Sequence, residues 1–212
     1  PGAWRRAATM RRFRLPGGER AGREPWRSAA ALCWEAGLAC PAVPVGGELV
    51  EEAWKRRINT PVSSAVGRIF DAAAALSGVT INASFEGQGP MMFEAAADGC
   101  EGGIDLPVRR DERGVWVVDW APVLPQLADT DRPVSARASA FHDTMVRAAI
   151  ATAQADFDVL RAHQRRLFEQ LRKAESDAEE ARERAKSLYE LDANLPPAPV
   201  YFGDEVELEG QS

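Results

Sequence analysis

The feature that most constrains the fold of this chain is a seven-residue repeat of apolar side chains near its C-terminal end. Five positions form one row of the repeat: Leu160, Leu167, Ala174, Ala181 and Leu188. A second row lies four positions after each of the first four residues of this row and consists of Gln164, Leu171, Ala178 and Ala185. Two rows spaced in this way are the a and d positions of a coiled coil, and they share a surface only on an α-helix. We therefore expect residues 155–195 to form one long coiled-coil helix.

The residues between these two rows are mostly charged, so the apolar seam is narrow. Alanine occupies four of the nine seam positions and buries little apolar area when it is covered. We therefore expect the helix to pair with a second copy of the chain or with a partner helix through residues 156–191. A charged helix that lies on its own domain is the alternative. The residues expected to mediate oligomerisation are Leu160, Leu167, Leu171, Ala174, Ala178, Ala181, Ala185 and Leu188.

Glycine and proline residues divide the preceding 154 residues into short elements. The apolar spacing and the flanking breakers predict helices over residues 26–36, 49–57, 65–76, 91–97 and 134–154. A glycine-bearing loop is expected over residues 84–90. The apolar run at residues 115–118 indicates a hairpin or an edge strand within residues 104–118. The expected fold class is α+β and mostly helical.

The last segment of the chain is expected to end the long helix and to form a separate tail. Three prolines break the helical pattern at Pro196, Pro197 and Pro199. Beyond them lie four acidic residues with no basic neighbour: Asp204, Glu205, Glu207 and Glu209. We expect residues 196–212 to stay mobile or to dock on a basic surface. The domain division expected from sequence is therefore 1–154, 155–195 and 196–212.

The first 27 residues are basic although the formal net charge of the chain is −6. They contain eight arginines and two glutamates. Such a segment could attract phosphate groups or nucleic acid. A turn at residues 15–18 interrupts the arginines, which are not interleaved with the aromatic residues on which bases stack. We therefore expect a solvated basic face and no nucleic acid partner.

Apolar runs and cysteine spacing bear on the location of the protein. The sequence has no run of about 18 apolar residues, so we expect no membrane span. Cys33, Cys40 and Cys100 lack the spacing of metal ligands, and a Cys33–Cys40 disulfide would require a secretory route. The expected location is the cytoplasm. Because the chain starts without methionine or a leader, we expect it to be a fragment or a processing product.

Several motifs in the first three quarters of the chain resemble one enzyme family. In order they are residues 13–19 (FRLPGGE), 23–27 (REPWR), 59–71 (NTPVSSAVGRIFD), 85–88 (FEGQ) and 140–143 (AFHD). Together they resemble the last third of the hydrogenase-maturation carbamoyltransferases, the HypF family. The resemblance covers roughly residues 3–154 and is not expected to include the heptad segment or the acidic tail.

The resemblance implies a fold and an activity. HypF enzymes convert carbamoyl phosphate and ATP into a carbamoyl adenylate. They then carbamoylate the C-terminal cysteine of a partner protein, on the way to the cyanide ligands of a nickel–iron hydrogenase. The matched region implies part of an actin-like ATPase-type domain, related to the tRNA threonylcarbamoyl transferases.

The resemblance also implies where a nucleotide would bind. In the related transferases, a glycine and an aspartate on one helix and a glycine-rich turn approach the nucleotide sugar. The matching positions here, with one further acidic residue, are Gly67, Asp71, Glu86, Gly87, Gly89 and Glu94. Asp71 lies one helical turn after Gly67, so its carboxylate could accept hydrogen bonds from ribose hydroxyls on the same face. A buried carboxylate that only ties down the helix is the alternative.

The sequence departs from the family pattern on both sides of the match. The paired-histidine motif that holds a metal in the family belongs to a region upstream. At residues 155–158 the chain replaces the Ser-Gly-Gly loop that holds nucleotide phosphates in the family. His142 alone does not supply a metal site. We therefore expect no catalytic residues, no metal and no required cofactor in the isolated chain, and at most weak binding of adenine nucleotides.

Two functions remain open at this point. The first is a partial carbamoyltransferase-like protein linked to nickel–iron hydrogenase maturation and not catalytic by itself. The second is a non-catalytic scaffold that oligomerises through its coiled coil and organises a hydrogenase or another partner complex. Hydrogenase or maturation proteins are the expected partners in both cases.

Overall fold

The computed structural model describes residues 5–193, so the predictions made for residues 196–212 lie outside the described residues. The helices are α1 (Pro25–Glu35), α2 (Glu48–Lys55), α3 (Val66–Leu76), α4 (Gln88–Ala95), α5 (Leu124–Ala128) and α6 (Val134–Ala193). The strands are β1 (Ala8–Met10), β2 (Phe13–Arg14), β3 (Val62–Ser63), β4 (Val108–Arg110) and β5 (Trp116–Val118). The expectation of a mostly helical α+β fold is confirmed.

The chain divides into two compact units, the first ending at Val159 and the second beginning at Leu160. Helix α6 contributes residues to both, because the two helical segments expected at 134–154 and 155–195 form one element. Alanine and charged side chains on either side of residue 155 favour the helix, and no glycine or proline separates the two segments.

The core of the first unit forms where α1 packs against α3. Both helices place alanines in the contact, and residues 29–31 and 72–74 have no exposed surface. Small side chains allow two helices to approach closely, so packing here depends on fit rather than on large side chains. Larger residues complete the core, with Phe13 and Trp120 in edge-to-face contact at 5.9 Å between ring centroids.

A three-stranded sheet with the order β1-β5-β4 lies in the same unit. Of the two alternatives expected within residues 104–118, the hairpin is observed, because β4 and β5 are antiparallel. Strand β5 is not an edge strand, because β1 pairs with it in parallel, and this pairing was not predicted. A second pair, β2 and β3, was also missed. These missed strands have two or three residues each, too few to show an alternating pattern, and their partners are distant in sequence.

Two further predictions need correction. Helix α4 begins at Gln88, so residues 88–90 are helical and not part of a loop. Gly87 precedes the helix with a φ of +89°, and Pro90 lies in the first turn, where the missing amide hydrogen costs nothing. Helix α5 was not predicted at all, because its five residues are too few to establish a helical period.

Several arginines of the basic N-terminal segment form tertiary contacts, while Arg6 and Arg12 are exposed. Arg5 contacts Asp156 at 2.8 Å, and Arg11 contacts Asp119 at 3.1 Å. Arg14 stacks on the Trp54 ring at 3.9 Å. These contacts distribute the positive charge over several elements of the first unit.

Within the second unit, the predicted seam faces solvent in the single chain. The exposed fractions are 56% for Leu160, 51% for Leu167, 54% for Leu171 and 68% for Leu188. The alanines of the seam are exposed as well. The helix is therefore confirmed, while the coiled coil stays a prediction.

Neither a membrane-spanning helix nor a disulfide is found in the described part of the chain. No helix among these residues is both long and apolar enough to cross a bilayer. Cys33, Cys40 and Cys100 are free thiols.

Candidate functional site

The candidate site begins at the N-terminal end of α3, where the chain leaves strand β3. Ala65 has an extended backbone before the first helical turn, and its amide donates a hydrogen bond to Ser63 Oγ at 3.2 Å. Gly67 follows in that first turn and is exposed. Apart from its chain neighbours and the backbone of its own helix, no atom lies within 4 Å of the position that a Cβ would take at Gly67, so the backbone there is open to a ligand.

Arg68 joins the two acidic residues of the candidate site. Its Nη1 lies 3.0 Å from Asp71 Oδ2, one turn along α3. Its Nη2 donates a hydrogen bond to Glu86 Oε1 at 2.6 Å. Asp71 and Glu86, which the sequence predicted separately, are thus brought together by a single guanidinium group.

The Asp71 carboxylate is the most perturbed group of this cluster. Its side chain is only 1% exposed, and burial raises the pKa of Asp71 to about 6, with the charge of Glu86 adding to the rise and Arg68 opposing it. Asp71 Oδ2 accepts no hydrogen bond within the described residues, because the Arg68 contact has ion-pair distance without hydrogen-bond alignment. An under-satisfied buried carboxylate is costly to stability and marks a candidate functional group.

Two glycines shape the surroundings of Arg68 and Glu86. Gly22 is buried beside the ion pair, and a Cβ there would lie 3.4 Å from Arg68 Nη1 and 3.6 Å from the Glu86 carboxyl carbon, which are ordinary contact distances. Gly87 adopts a φ of +89°, which side chains rarely tolerate, and so turns the chain directly after Glu86 into α4. Only Gly87 therefore has a backbone conformation that favours glycine.

The remaining two predicted residues lie apart from the Arg68 cluster. Gly89 is buried, and a Cβ there would be 3.3 Å from the Ala74 side chain, so it allows α4 to approach α3 closely. Glu94 is exposed on α4, and no hydrogen bond or ion pair joins it to Arg68 or Asp71 in the described structure.

His142 packs among aromatic rings. Its Nδ1 lies 2.7 Å from the Ala138 carbonyl oxygen, and its ring contacts Phe70 and Phe93 at centroid distances of 5.7 and 5.8 Å. Among residues 5–193, no group of three or more histidine, cysteine, aspartate or glutamate side chains is placed to hold a metal ion.

Sequence reasoning missed two members of the site, Arg68 and Gly22. Arg68 lies three residues before Asp71, a spacing at which opposite charges meet on a helix, so a usable signal was present. Gly22 carried no such signal, because its role depends on a contact with α3 and Glu86 that only the folded chain creates.

The comparisons with known proteins agree on one family. A family model described as the carbamoyltransferase, Kae1-like domain, second subdomain, matches residues 1–185. The carbamoyltransferase HypF of Rhizobium leguminosarum is 38% identical over 152 residues, covering 68% of this chain and 19% of that protein. The carbamoyltransferase HypF of Rhodobacter capsulatus is 35% identical over 156 residues, covering 70% of this chain and 20% of that protein.

Solved structures show the same similarity in three dimensions. A full-length HypF in a phosphate- and nucleotide-bound form has a TM-score of 0.64 and 25% identity, over 72% of this chain and 21% of that one. HypF of T. kodakarensis has a TM-score of 0.60 at 23% identity, over 76% of this chain and 23% of that one. The match to the T. kodakarensis protein shows that the two chains share a fold.

The matches cover most of this chain but only a small part of the relatives. The chain spans about a fifth of the length of the two curated relatives. The family model continues to residue 185, so it includes most of the heptad segment, which we expected to lie outside the resemblance.

Proposed function

This chain belongs to the HypF carbamoyltransferase family, and we propose that it supplies a nucleotide-contacting part of such an enzyme without completing the reaction by itself. The reaction, as the family resemblance implies it, serves the maturation of nickel–iron hydrogenases, and the cysteine usage of the chain favours the cytoplasm as its location. The proposal concerns the role of this chain within that activity.

One observation carries the proposal: Asp71 Oδ2 is buried and accepts no hydrogen bond in the described part of the chain. Ribose hydroxyl groups are donors of the kind that this oxygen lacks. Gly67 lies one turn earlier on the same helix face, and its open backbone allows a ligand to approach the helix there. Arg68 covers Asp71 Oδ2 and is hydrogen-bonded to Glu86, so a sugar would have to displace the Arg68 guanidinium group to reach this oxygen.

The same geometry supports an incomplete site. Acyl and nucleotidyl transfer need both substrates to be held in a fixed orientation, which contributes several kcal/mol to the barrier reduction. The chain spans only about a fifth of the length of its relatives, and within residues 5–193 no group of side chains is placed to hold a metal ion. We therefore expect nucleotide binding to be weak and to need no other cofactor.

Isothermal titration calorimetry with ATP tests the binding role. Asp71→Asn keeps the shape of the side chain and should weaken ATP binding by roughly 5- to 150-fold, the equivalent of about 1–3 kcal/mol for a hydrogen bond to a charged group. Asp105→Asn is the matched control, because it removes the same charge from an exposed carboxylate. Equal ATP affinity for wild type and both variants would remove the nucleotide role of Asp71.

A pyrophosphate-exchange assay tests the catalytic part of the proposal. The purified chain with ATP and carbamoyl phosphate should give no exchange above background. Addition of the remaining domains of a HypF relative should restore exchange if this chain completes the nucleotide site. Exchange by the isolated chain that is lost in Asp71→Asn would show instead that the chain is an enzyme by itself.

A second function, a scaffold that gathers hydrogenase or maturation proteins, is favoured by the exposed seam of α6. Four leucines with at least half of their surface exposed lie at positions that a second helix could cover. In this proposal residues 1–154 contact the partner proteins, and the chain oligomerises through residues 156–191.

A further inference from the structure

A basic groove lies on one face of the β1-β5-β4 sheet, apart from the Arg68 cluster. Its volume is about 620 Å³, and arginines from the N-terminal segment and from the β4–β5 hairpin surround it. They are Arg6, Arg11, Arg12, Arg109 and Arg113. The N-terminal arginines that sequence analysis singled out are therefore joined by two others that lie about a hundred residues later.

The register of the sheet explains how the floor of this groove forms. Thr9 is paired with Val117, and Val117 is paired with Arg109, so the three side chains lie in one row on the same face. Val115 directly precedes β5, two residues before Val117, and also lines the groove. The floor is half-buried and aliphatic, while its borders are cationic.

Two of the five arginines are already paired with acidic groups. Arg11 contacts Asp119 at 3.1 Å, and Arg113 lies 3.9 Å from Asp111. Asp111 is itself committed to the hairpin turn, where its Oδ1 accepts hydrogen bonds from the amides of Arg113 and Val115 at 3.0 and 2.9 Å. The nearby carboxylates are thus used internally.

The other three arginines are available to a ligand. Arg6, Arg12 and Arg109 are exposed and form no ion pair with any residue in the range 5–193. Arginine presents a planar fork of donors that fits a carboxylate or a phosphate with two parallel hydrogen bonds. The groove therefore carries an excess of positive charge directed at an anionic partner.

The shape of the groove selects among anionic partners. Successive rows on one face of a strand are about 7 Å apart, and Val115 and Val117 occupy two such rows, so the floor is longer than a single phosphate group. No aromatic ring lines the groove, and Trp116 belongs to the opposite face of β5, so bases have no surface on which to stack. An extended peptide with acidic side chains at every second residue has the same spacing of about 7 Å and can place small apolar groups on the valine floor.

We propose that this groove docks an acidic peptide segment of a partner protein, in an extended conformation with acidic and apolar residues alternating. Carboxylates on one side of the peptide pair with Arg12 and Arg109, and its apolar side chains cover Val115 and Val117. This surface is independent of nucleotide binding and would hold a partner of the carbamoyltransferase in place.

Fluorescence polarisation with two labelled hexapeptides tests the proposal on the full chain. In one peptide glutamate and valine alternate; in the other the same residues are grouped into a block of three glutamates and a block of three valines. The alternating peptide should bind at least fivefold more tightly than the grouped one. Arg12→Ala/Arg109→Ala should weaken its binding at least tenfold.

A matched control removes two positive charges outside the groove. Arg20→Ala/Arg23→Ala changes two exposed arginines that do not line the groove, and binding should stay within twofold of wild type. Because all four arginines are exposed, both double variants should keep the wild-type circular dichroism spectrum and melting temperature.

Several results would overturn the proposal. They are no binding of the alternating peptide at millimolar concentration, equal binding of the two peptides, or equal losses in the two double variants. Displacement of the peptide by micromolar pyrophosphate or by a thymidine decamer, with the same dependence on Arg12 and Arg109, would assign the groove to phosphate groups instead.

Discussion

Replacing Asp71 by asparagine should stabilise the fold at neutral pH while it weakens the proposed nucleotide site. The carboxylate is 1% exposed, and its pKa rises from the ordinary value of 3.8 to about 6, chiefly because burial disfavours its charged form. The asparagine side chain has nearly the same shape and carries no charge. Asp71→Asn therefore removes the cost of ionising a buried group.

The size and pH dependence of this effect follow from the pKa of Asp71. A pKa difference of one corresponds to about 1.4 kcal/mol, so ionised Asp71 costs at most about 3 kcal/mol, and we expect a gain of about 1–3 kcal/mol in Asp71→Asn. Since the folded state binds the proton more tightly than the unfolded state, the free energy of unfolding of the wild type falls as pH rises from about 4 to 6. The advantage of the variant should be under about 1 kcal/mol near pH 4 and complete by pH 7.

Urea unfolding followed by far-ultraviolet circular dichroism at pH 4, 5, 6 and 7.5 measures this difference. Asp105→Asn, an exposed carboxylate paired with Arg147, should change the free energy of unfolding by less than about 0.5 kcal/mol at every pH. The reasoning is refuted if Asp71→Asn is destabilised at pH 7.5, or if its difference from wild type is the same at all four pH values. In the first case the Arg68 ion pair would outweigh the burial of the carboxylate.

Three other changes have defined outcomes. Leu167→Glu/Leu171→Glu should convert an oligomer to monomers in sedimentation velocity, because each leucine buried in the seam contributes about 1.5–3 kcal/mol. Phe168→Glu, which lies outside the seam, should leave the oligomer intact. If wild type and both variants all sediment as monomers, the coiled coil is excluded. Gly103→Ala should lower the free energy of unfolding by more than about 2 kcal/mol in urea, because its Cβ would lie 2.5 Å from the Thr144 amide nitrogen; an unchanged midpoint would contradict this packing. The site of Gly67 has open space for a methyl group, so Gly67→Ala should leave the free energy of unfolding unchanged or raise it by up to about 1 kcal/mol. The same substitution should lower the affinity for ATP in calorimetry. An unchanged affinity would mean that no ligand approaches this backbone.

Local sequence patterns determined the helices of this chain with good accuracy. The predicted segments 26–36, 49–57 and 65–76 agree within two residues with α1, α2 and α3. Apolar spacing sets the buried face of a helix, and glycines with positive φ stop it, as Gly37 and Gly78 do here. Both signals act within a few residues, so they are visible without the fold. The heptad spacing determined the helix of the second unit in the same way.

The sequence motifs identified residues of the candidate site but not the contacts between them. Gly67, Asp71, Glu86 and Gly87 were identified from the family motifs, and the structure brings Asp71 and Glu86 together around Arg68. What the motifs could not supply is the pKa of Asp71, because that value depends on burial between elements. Whether the six predicted residues contact a nucleotide stays a prediction.

Tertiary structure alone decided the sheet and the distribution of charge. Ala8 pairs in parallel with Trp116, and Arg11 finds its acidic partner at Asp119, more than a hundred residues later. Strands of three residues carry no periodic signal, and an arginine-rich segment looks the same in sequence whether its charges are neutralised or free. Only the folded chain separates the arginines held in ion pairs from Arg6 and Arg12, which face the groove, because long-range pairing is a property of the whole packing arrangement.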